Sequence, residues 1–268
     1  MVRIGTVWDR TVEVLKGRAN ILVPIAVASL FLPSVANTAL AAFGPTGSGA
    51  IALLGVAVAL AVLLANIWGQ LAMLAVATHP ATTRADAGRQ ATARLLPALG
   101  VILAMAVLFA LALVPPVVVM MNAGIDLTRG NVAVQSLPAG VSGFIGLYSM
   151  VLVVVAFVVG ARLILLNPVI LNERRGLGAV MRSFRLTRGL TLKIVGVMIL
   201  FAIVLLVPML AVQTAVGLVA RLILGADALP TIGFLAGVAS AAVTSLFSVV
   251  AAAFTAQLYV AVVDDREG

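Results

Sequence analysis

The sequence predicts an all-α integral membrane protein whose 268 residues cross the bilayer six times. Hydrophobic residues make up 63% of the chain and charged residues only 10%, against roughly 45–50% and 25% in globular domains. Six apolar stretches are also at least as long as the roughly 20 residues that cross a membrane. The predicted spans are 21–43, 50–78, 95–121, 141–171, 194–224 and 231–263.

Lysine and arginine residues predict the orientation of these spans. They concentrate before the first, third and fifth spans, whereas only Arg129 and Arg221 lie near the alternate connections. The three clusters are Arg3, Arg10, Lys16 and Arg18, then Arg84, Arg89 and Arg94, then Arg174, Arg175, Arg182, Arg185, Arg188 and Lys193. The positive-inside rule places all three in the cytoplasm, with both termini. The net charge of +8 therefore indicates orientation and not nucleic-acid binding.

Internal similarity indicates three repeats within a single domain, 1–268. Segments 89–115 and 182–208 share their spacing of basic and proline residues, and Met105 matches Met198. Each repeat pairs two spans, and the three repeats cover about 1–88, 89–176 and 177–268. The fold class is therefore predicted as three pseudo-repeated helix pairs.

A basic amphipathic stretch begins each repeat. In the clearest one, 176–189, apolar side chains recur at i, i+3, i+4 and i+7 opposite a row of arginines. Such helices lie in the plane of the membrane interface, where arginines reach lipid phosphates. We expect one basic interfacial helix before each pair, and anionic lipid head groups as partners. These helices either only anchor and orient the protein, or form a specific site for anionic lipid or for a partner.

A string within the third basic stretch carries a resemblance. Asn167-Pro168, followed by 182–189 (RSFRLTRG) and a further span, resembles the membrane domain of the glycerophosphoryl diester phosphodiesterase family. The ending, Leu258-Tyr259 with 264–268 (DDREG), is similar to the close of that family, and the first half agrees only in hydropathy. The resemblance implies a six-helix bacterial inner-membrane architecture with no established activity. Catalysis in family members with a phosphodiesterase belongs to a separate soluble barrel, for which this chain has no room.

The residue inventory argues against an enzyme. His79 is the only histidine, cysteine is absent, and no Asp or Glu lies in the middle of a predicted span. A histidine triad, a thiolate metal site and a paired-carboxylate mechanism each lack their residues. We therefore expect no catalytic residue, no metal and no cofactor.

Polar residues inside the spans are the candidate ligand-binding residues, because a polar group in hydrocarbon requires a partner. They are Asn66, Trp68 and Gln70 in the second span, Arg162 in the fourth, Gln213 in the fifth, and Ser240, Thr244, Ser248, Gln257 and Tyr259 in the sixth. One interpretation is that they pack helices together, and that Arg162 reaches the membrane surface or another helix. The other is that they line a ligand cavity.

Two functional hypotheses follow. The first is a non-enzymatic inner-membrane protein that binds or transports a lipid-like or amphipathic small molecule between its repeats. The alternative is a membrane scaffold or accessory subunit that docks a protein partner, or a second copy, through its basic cytoplasmic face. Candidates for the head-group or partner contacts are Arg174, Arg175, Arg182, Arg185 and Arg188.

Overall fold

The structure, a computed structural model, describes residues 3–44, 49–125, 138–173, 176–225 and 227–267. It is 90% helical, and the described residues contain no strand. Six helical runs are long and apolar enough to cross a membrane, which confirms the predicted all-α class with six spans. The runs are Ile4–Phe43, Ile51–Thr78, Arg84–Asn122, Ala139–Asn172, Thr191–Leu224 and Leu229–Arg266. The chain is therefore a multi-pass membrane protein.

Breaks divide several of these runs into separate helices. In chain order the helices are α1 (Ile4–Ala26), α2 (Leu32–Phe43), α3 (Gly49–Thr78), α4 (Arg84–Ala112), α5 (Val114–Asn122), α6 (Ala139–Leu163), α7 (Leu166–Asn172), α8 (Gly178–Leu186), α9 (Thr191–Leu224) and α10 (Leu229–Glu267). A π-helical segment, Val27–Phe31, joins α1 to α2.

Proline explains the break between α6 and α7. Pro168 has no N–H to donate to the carbonyl of Ile164, four residues earlier, and its ring crowds that carbonyl. The helix accordingly ends at Leu163 and restarts at Leu166. Pro115 and Pro116 have the same effect where α4 gives way to α5, whereas Pro208 lies inside the continuous α9.

The basic stretches differ from the prediction of three separate interfacial helices. Only the third is a helix of its own, α8, and Gly189 follows it with a φ of 85° that other residues rarely adopt. The first stretch is the beginning of α1 and the second is the beginning of α4. No comparable turn interrupts those two helices, so their basic segments continue directly into the spans. The threefold repeat stays a prediction.

Five of the spans contact one another in a ring. α10 packs against α9, α9 against α6, α6 against α5, α4 against α3, and α3 against α10. The first run packs outside this ring against α3 and α10. Among the described residues, no more than isolated contacts join α4 to α9 or α6 to α10. Helix α7 is buried at one end of the ring, between α3, α4 and α10.

The hydrophobic core occupies one end of the ring only. It draws on four stretches of chain, 7–30, 67–101, 161–194 and 249–262. Because consecutive spans run in opposite directions, these stretches meet at the same end, which also carries the three basic clusters. We call this the packed end. The open end is opposite, formed by the second half of α4, by α5, by most of α6 and α9, and by the first halves of α3 and α10.

Candidate functional site

At the open end, one turn of α6 is uncovered on every side. Val153, Val154 and Val155 are 54%, 59% and 49% exposed, and the next residue, Ala156, is exposed as well. Successive residues of an α-helix are about 100° apart, so four consecutive exposed positions leave no covered face. Segment 106–110 of α4 is exposed in the same way. Both helices therefore present apolar surface towards the inside of the ring as well as the outside.

Tyr148 ties these two helices together at one point. Its hydroxyl donates to the carbonyl of Ala112 at 2.5 Å. That carbonyl is the one that Pro116 would satisfy in a continuous helix, and proline has no N–H. The contact therefore links α6 to the end of α4 by using an acceptor that the proline leaves free.

The candidates in α3 have separate hydrogen-bond partners. The Asn66 side-chain amide donates to the carbonyl of Val62 on its own helix at 2.8 Å, and the Trp68 indole donates to the Thr92 hydroxyl of α4 at 3.1 Å. Gln70 is half-buried. The tryptophan thus joins α3 to α4.

The hydroxyls of α10 are also satisfied locally. Ser240 donates to the carbonyl of Ala236, and Ser248 donates to that of Thr244, each at 2.9 Å. The side chains of Thr244 and of Gln213, on α9, are exposed. The hydrogen bond that the structure describes between two of these candidates, Ser248 and Thr244, lies within α10. The candidates are isolated polar side chains on otherwise apolar helices.

Gln257 and Tyr259 lie in the packed end, where both are buried. The side-chain amide of Gln257 donates to the carbonyl of Ala77 at 2.7 Å. This carbonyl lies in the last turn of α3, where the helix supplies no donor. Gln257 therefore caps α3 from α10.

Arg162 joins α6 to α8 through both its backbone and its side chain. Its carbonyl accepts from the hydroxyls of Ser183 and Thr187 at 2.6 and 3.3 Å. Its guanidinium donates to the backbone carbonyl of Phe184 at 3.4 Å and lies 6.0 Å from the centre of the Phe184 ring. These are helix-to-helix contacts, as one of the two interpretations of Arg162 expects. Both hydroxyl residues are fully buried.

The arginines of the fourth connection fall into three groups. Arg182 is half-buried and its Nε donates to both carboxylate oxygens of Glu173, at 2.9 and 3.0 Å. Arg185 and Arg188 are exposed. Arg174 and Arg175 lie outside the described residues. Next to Arg185 on the surface of α8, Leu177 and Met181 are 67% and 60% exposed.

Sequence reasoning missed the residues that hold α8 in place. Ser183 and Thr187 are four residues apart, so they share one face of the helix. The four-residue spacing of these two hydroxyls was the sequence signal that could have identified them, but we considered only the apolar residues and the arginines of this helix. The backbone carbonyl of Arg162 is free to accept from these two hydroxyls only because α6 breaks. The position of Pro168 was the sequence signal for that break.

Metal-ligating side chains and apolar grooves are the remaining places where a ligand could bind. Across the described parts of the chain, no three metal-ligating side chains come together. An apolar groove of about 250 Å³, with Trp8, Met198 and Phe254 in its walls, runs between α1, α9 and α10. Its lining can hold hydrocarbon but offers no ionisable group.

Comparison of the chain with protein-family models, with curated proteins and with solved structures finds no match. The resemblance to the glycerophosphoryl diester phosphodiesterase membrane domain therefore stays a prediction.

Proposed function

We propose that the protein is a non-enzymatic membrane protein that binds a lipid-like or amphipathic molecule, with its apolar part held between α4 and α6 at the open end. The observation that carries this proposal is the uncovered turn at 153–156. A helix within a ring of helices normally buries the stripe that faces its neighbours. Here that stripe is apolar and free, so hydrocarbon chains can occupy the space beside it.

The chemistry of the walls favours a long-chain ligand. Valine, leucine and phenylalanine side chains cover the facing parts of α4 and α6, and the serine hydroxyls of α10 already donate to their own helix. A hydrophilic solute would lose its hydration there without gaining hydrogen bonds. Binding is favoured over transport, because α7 is buried between α3, α4 and α10 across the packed end.

We further propose that the protein resides in a bacterial inner membrane with its packed end and both termini in the cytoplasm, since the basic clusters lie at that end. Because the chain has no cysteine, single-cysteine variants report one position each. Met121→Cys, in the last turn of α5, is expected to react with a membrane-impermeant maleimide on intact spheroplasts. Gly5→Cys is expected to react only after permeabilisation. The reverse labelling would overturn the orientation.

Native mass spectrometry of the purified protein tests lipid binding. We expect retained lipid on the wild-type protein, and at least about tenfold lower occupancy for Val154→Trp, because the indole fills the space beside α6. Leu192→Trp is the matched control, since Leu192 is 86% exposed at the packed end. The proposal fails if the wild-type protein retains no lipid, or if both variants retain it equally.

A second function, docking of a protein partner, is favoured by the exposed surface of α8. Leu177 and Met181 place apolar side chains beside the exposed Arg185. Native electrophoresis of membrane extracts tests this candidate. Replacing Arg185 and Arg188 with glutamine should dissolve a defined complex that the same change at Arg10 leaves intact. An unchanged complex would count against it.

A further inference from the structure

A polar cavity of about 420 Å³ lies at the packed end, between the end of α3, the first turns of α4 and the end of α7. Its polar lining comprises His79, Arg89, Gln90, Arg94 and Asn172. The groove beside Trp8, by contrast, is apolar. Two guanidinium groups, an imidazole and two amides therefore line an open space that no described side chain fills.

Within the described part of the chain, Arg94 has no protein partner for its charge. It is half-buried, and the described residues supply neither a hydrogen bond nor an ion pair to its guanidinium. Arg89 differs, because it forms an ion pair with Asp86. A partly desolvated cation is stabilised by a nearby anion, and a guanidinium matches phosphate oxygens with two parallel donors.

In the other wall of the cavity, a hydrogen bond fixes the orientation of the Asn172 side chain. The Asn172 amide nitrogen donates to the carbonyl of Pro168 at 3.0 Å, so its oxygen is the atom that faces the Nε2 of His79 at 3.2 Å. Nε2 must then carry the proton, since an amide oxygen can only accept. The break before α7 thus positions the histidine as well.

The cavity lies where the basic stretch of α4 meets its apolar span. Leu96, two residues after Arg94, is 80% exposed, as expected of a side chain in contact with lipid. In the orientation proposed above, this boundary lies near the phosphates of the cytoplasmic leaflet. An anion that reaches Arg94 can therefore come from the bilayer or from the adjoining water.

We propose that this cavity binds a phosphate-bearing anion, with Arg94 as the principal ligand and Arg89, Gln90 and His79 around it. The site is distinct from the apolar opening at the other end, and its occupancy does not depend on whether α4 and α6 hold a lipid chain. The shared chemistry is a phosphate group, and two probes distinguish a lipid head group from a soluble phosphate.

The single histidine provides a selective reporter. Protein labelled with ¹⁵N-histidine gives imidazole signals from His79 alone. We expect these signals to shift and saturate on addition of phosphatidylglycerol in mixed micelles or of inorganic phosphate. Response to the lipid alone identifies a head-group site, and response to inorganic phosphate identifies a soluble-anion site. Absence of any shift with both probes overturns the proposal.

Matched variants test the residue assignment. Arg94→Gln should raise the Kd of the active probe at least about tenfold, because it removes a charged bidentate donor. Arg84→Gln makes the same change on the same helix outside the cavity and should leave the Kd within about twofold. Gln90→Glu, at an exposed position, should also weaken binding by placing a carboxylate in the wall. Equal effects of Arg84→Gln and Arg94→Gln would overturn the proposal. Binding of lipid chains at the open end is measured independently, by photo-crosslinking of acyl chains to α6.

Discussion

The packed end and the open end differ in how their helices are held together. At the packed end, hydrogen bonds from side chains to backbone carbonyls connect separate helices, as between Gln257 and Ala77 and between Ser183 and Arg162. At the open end, the hydroxyls of Thr38, Ser142 and Ser240 bond within their own helices. Apolar surface alone therefore does not determine where these helices meet.

The medium explains this difference. Lipid chains solvate apolar helices as well as other helices do, so burial in the membrane yields little net hydrophobic free energy. Helices then associate where close fit and interhelical hydrogen bonds favour it. The packed end supplies such contacts at the breaks and ends of helices, where backbone carbonyls lack helical donors. The open end has few such positions, and there α4 and α6 separate, although α10 remains packed against α2 and α9.

The largest contrast is expected from Gly69→Ala against Gly237→Ala. A Cβ on Gly69 would lie 2.6 Å from the Cβ of Ser29, and a Cβ on Gly237 would lie 2.5 Å from the Cγ2 of Thr38. We expect Gly69→Ala to lower the free energy of unfolding by about 2–3 kcal/mol, and Gly237→Ala by less than about 1 kcal/mol. The open end can separate to admit a methyl group. Denaturation in mixed micelles measures both.

The gain in helix propensity from glycine to alanine is the same at both positions. The difference between the two changes in unfolding free energy therefore reports on packing. Equal losses at Gly69 and Gly237 would mean that the two ends resist expansion equally, and the contrast between them would be wrong.

A smaller contrast is expected from a Gln→Leu change at each end. Gln257→Leu leaves the buried carbonyl of Ala77 without a donor, which should cost about 2 kcal/mol of unfolding free energy. Gln213→Leu, at an exposed position of α9, should stay within about 0.5 kcal/mol of wild type. The same unfolding measurement applies, and a neutral Gln257→Leu would refute the capping role.

Next in size is Ser183→Ala. It removes the 2.6 Å hydrogen bond to the carbonyl of Arg162, so we expect a loss of about 1 kcal/mol and faster proteolysis around α8. Ser142→Ala is the control, because that hydroxyl bonds only within α6. If both variants are cleaved at the wild-type rate, the docking of α8 does not depend on this hydroxyl.

The smallest effect on stability is expected from Tyr148→Phe, at about 0.6 kcal/mol. Its effect on shape should be larger, because Tyr148 links α6 to the end of α4. Spin labels introduced at Val107 and Val153 should report a longer and broader distance distribution in the variant. An unchanged distribution would show that other contacts hold the open end.

Hydropathy predicted the six spans, because it depends on the chemistry of successive residues and on the thickness of a membrane, whereas the orientation read from the arginines stays a prediction. The limits of the first run show where this reasoning stopped. The span was predicted to begin at residue 21, yet the helical run begins at Ile4. A basic segment ends an apolar window without ending a helix, and no turn lies between the two.

The candidate polar residues show a similar division. Sequence reasoning selected Gln257 and Arg162 because polar groups in apolar spans require partners, but it could not name the partners. Ala77 lies 180 positions from Gln257, and only the packing of α10 on α3 brings them together. Arg94 and His79 likewise read as ordinary residues near helix ends, and their shared cavity exists only because α7 packs beside them.

By itself, the sequence determined that the chain is helical and that six of its stretches can cross a membrane, since both properties depend on local hydropathy. The tertiary structure alone decided that the helices meet at one end while α4 and α6 separate at the other. The physical reason is that association in lipid depends on a few long-range hydrogen bonds and close contacts, and single residues do not reveal which of them form.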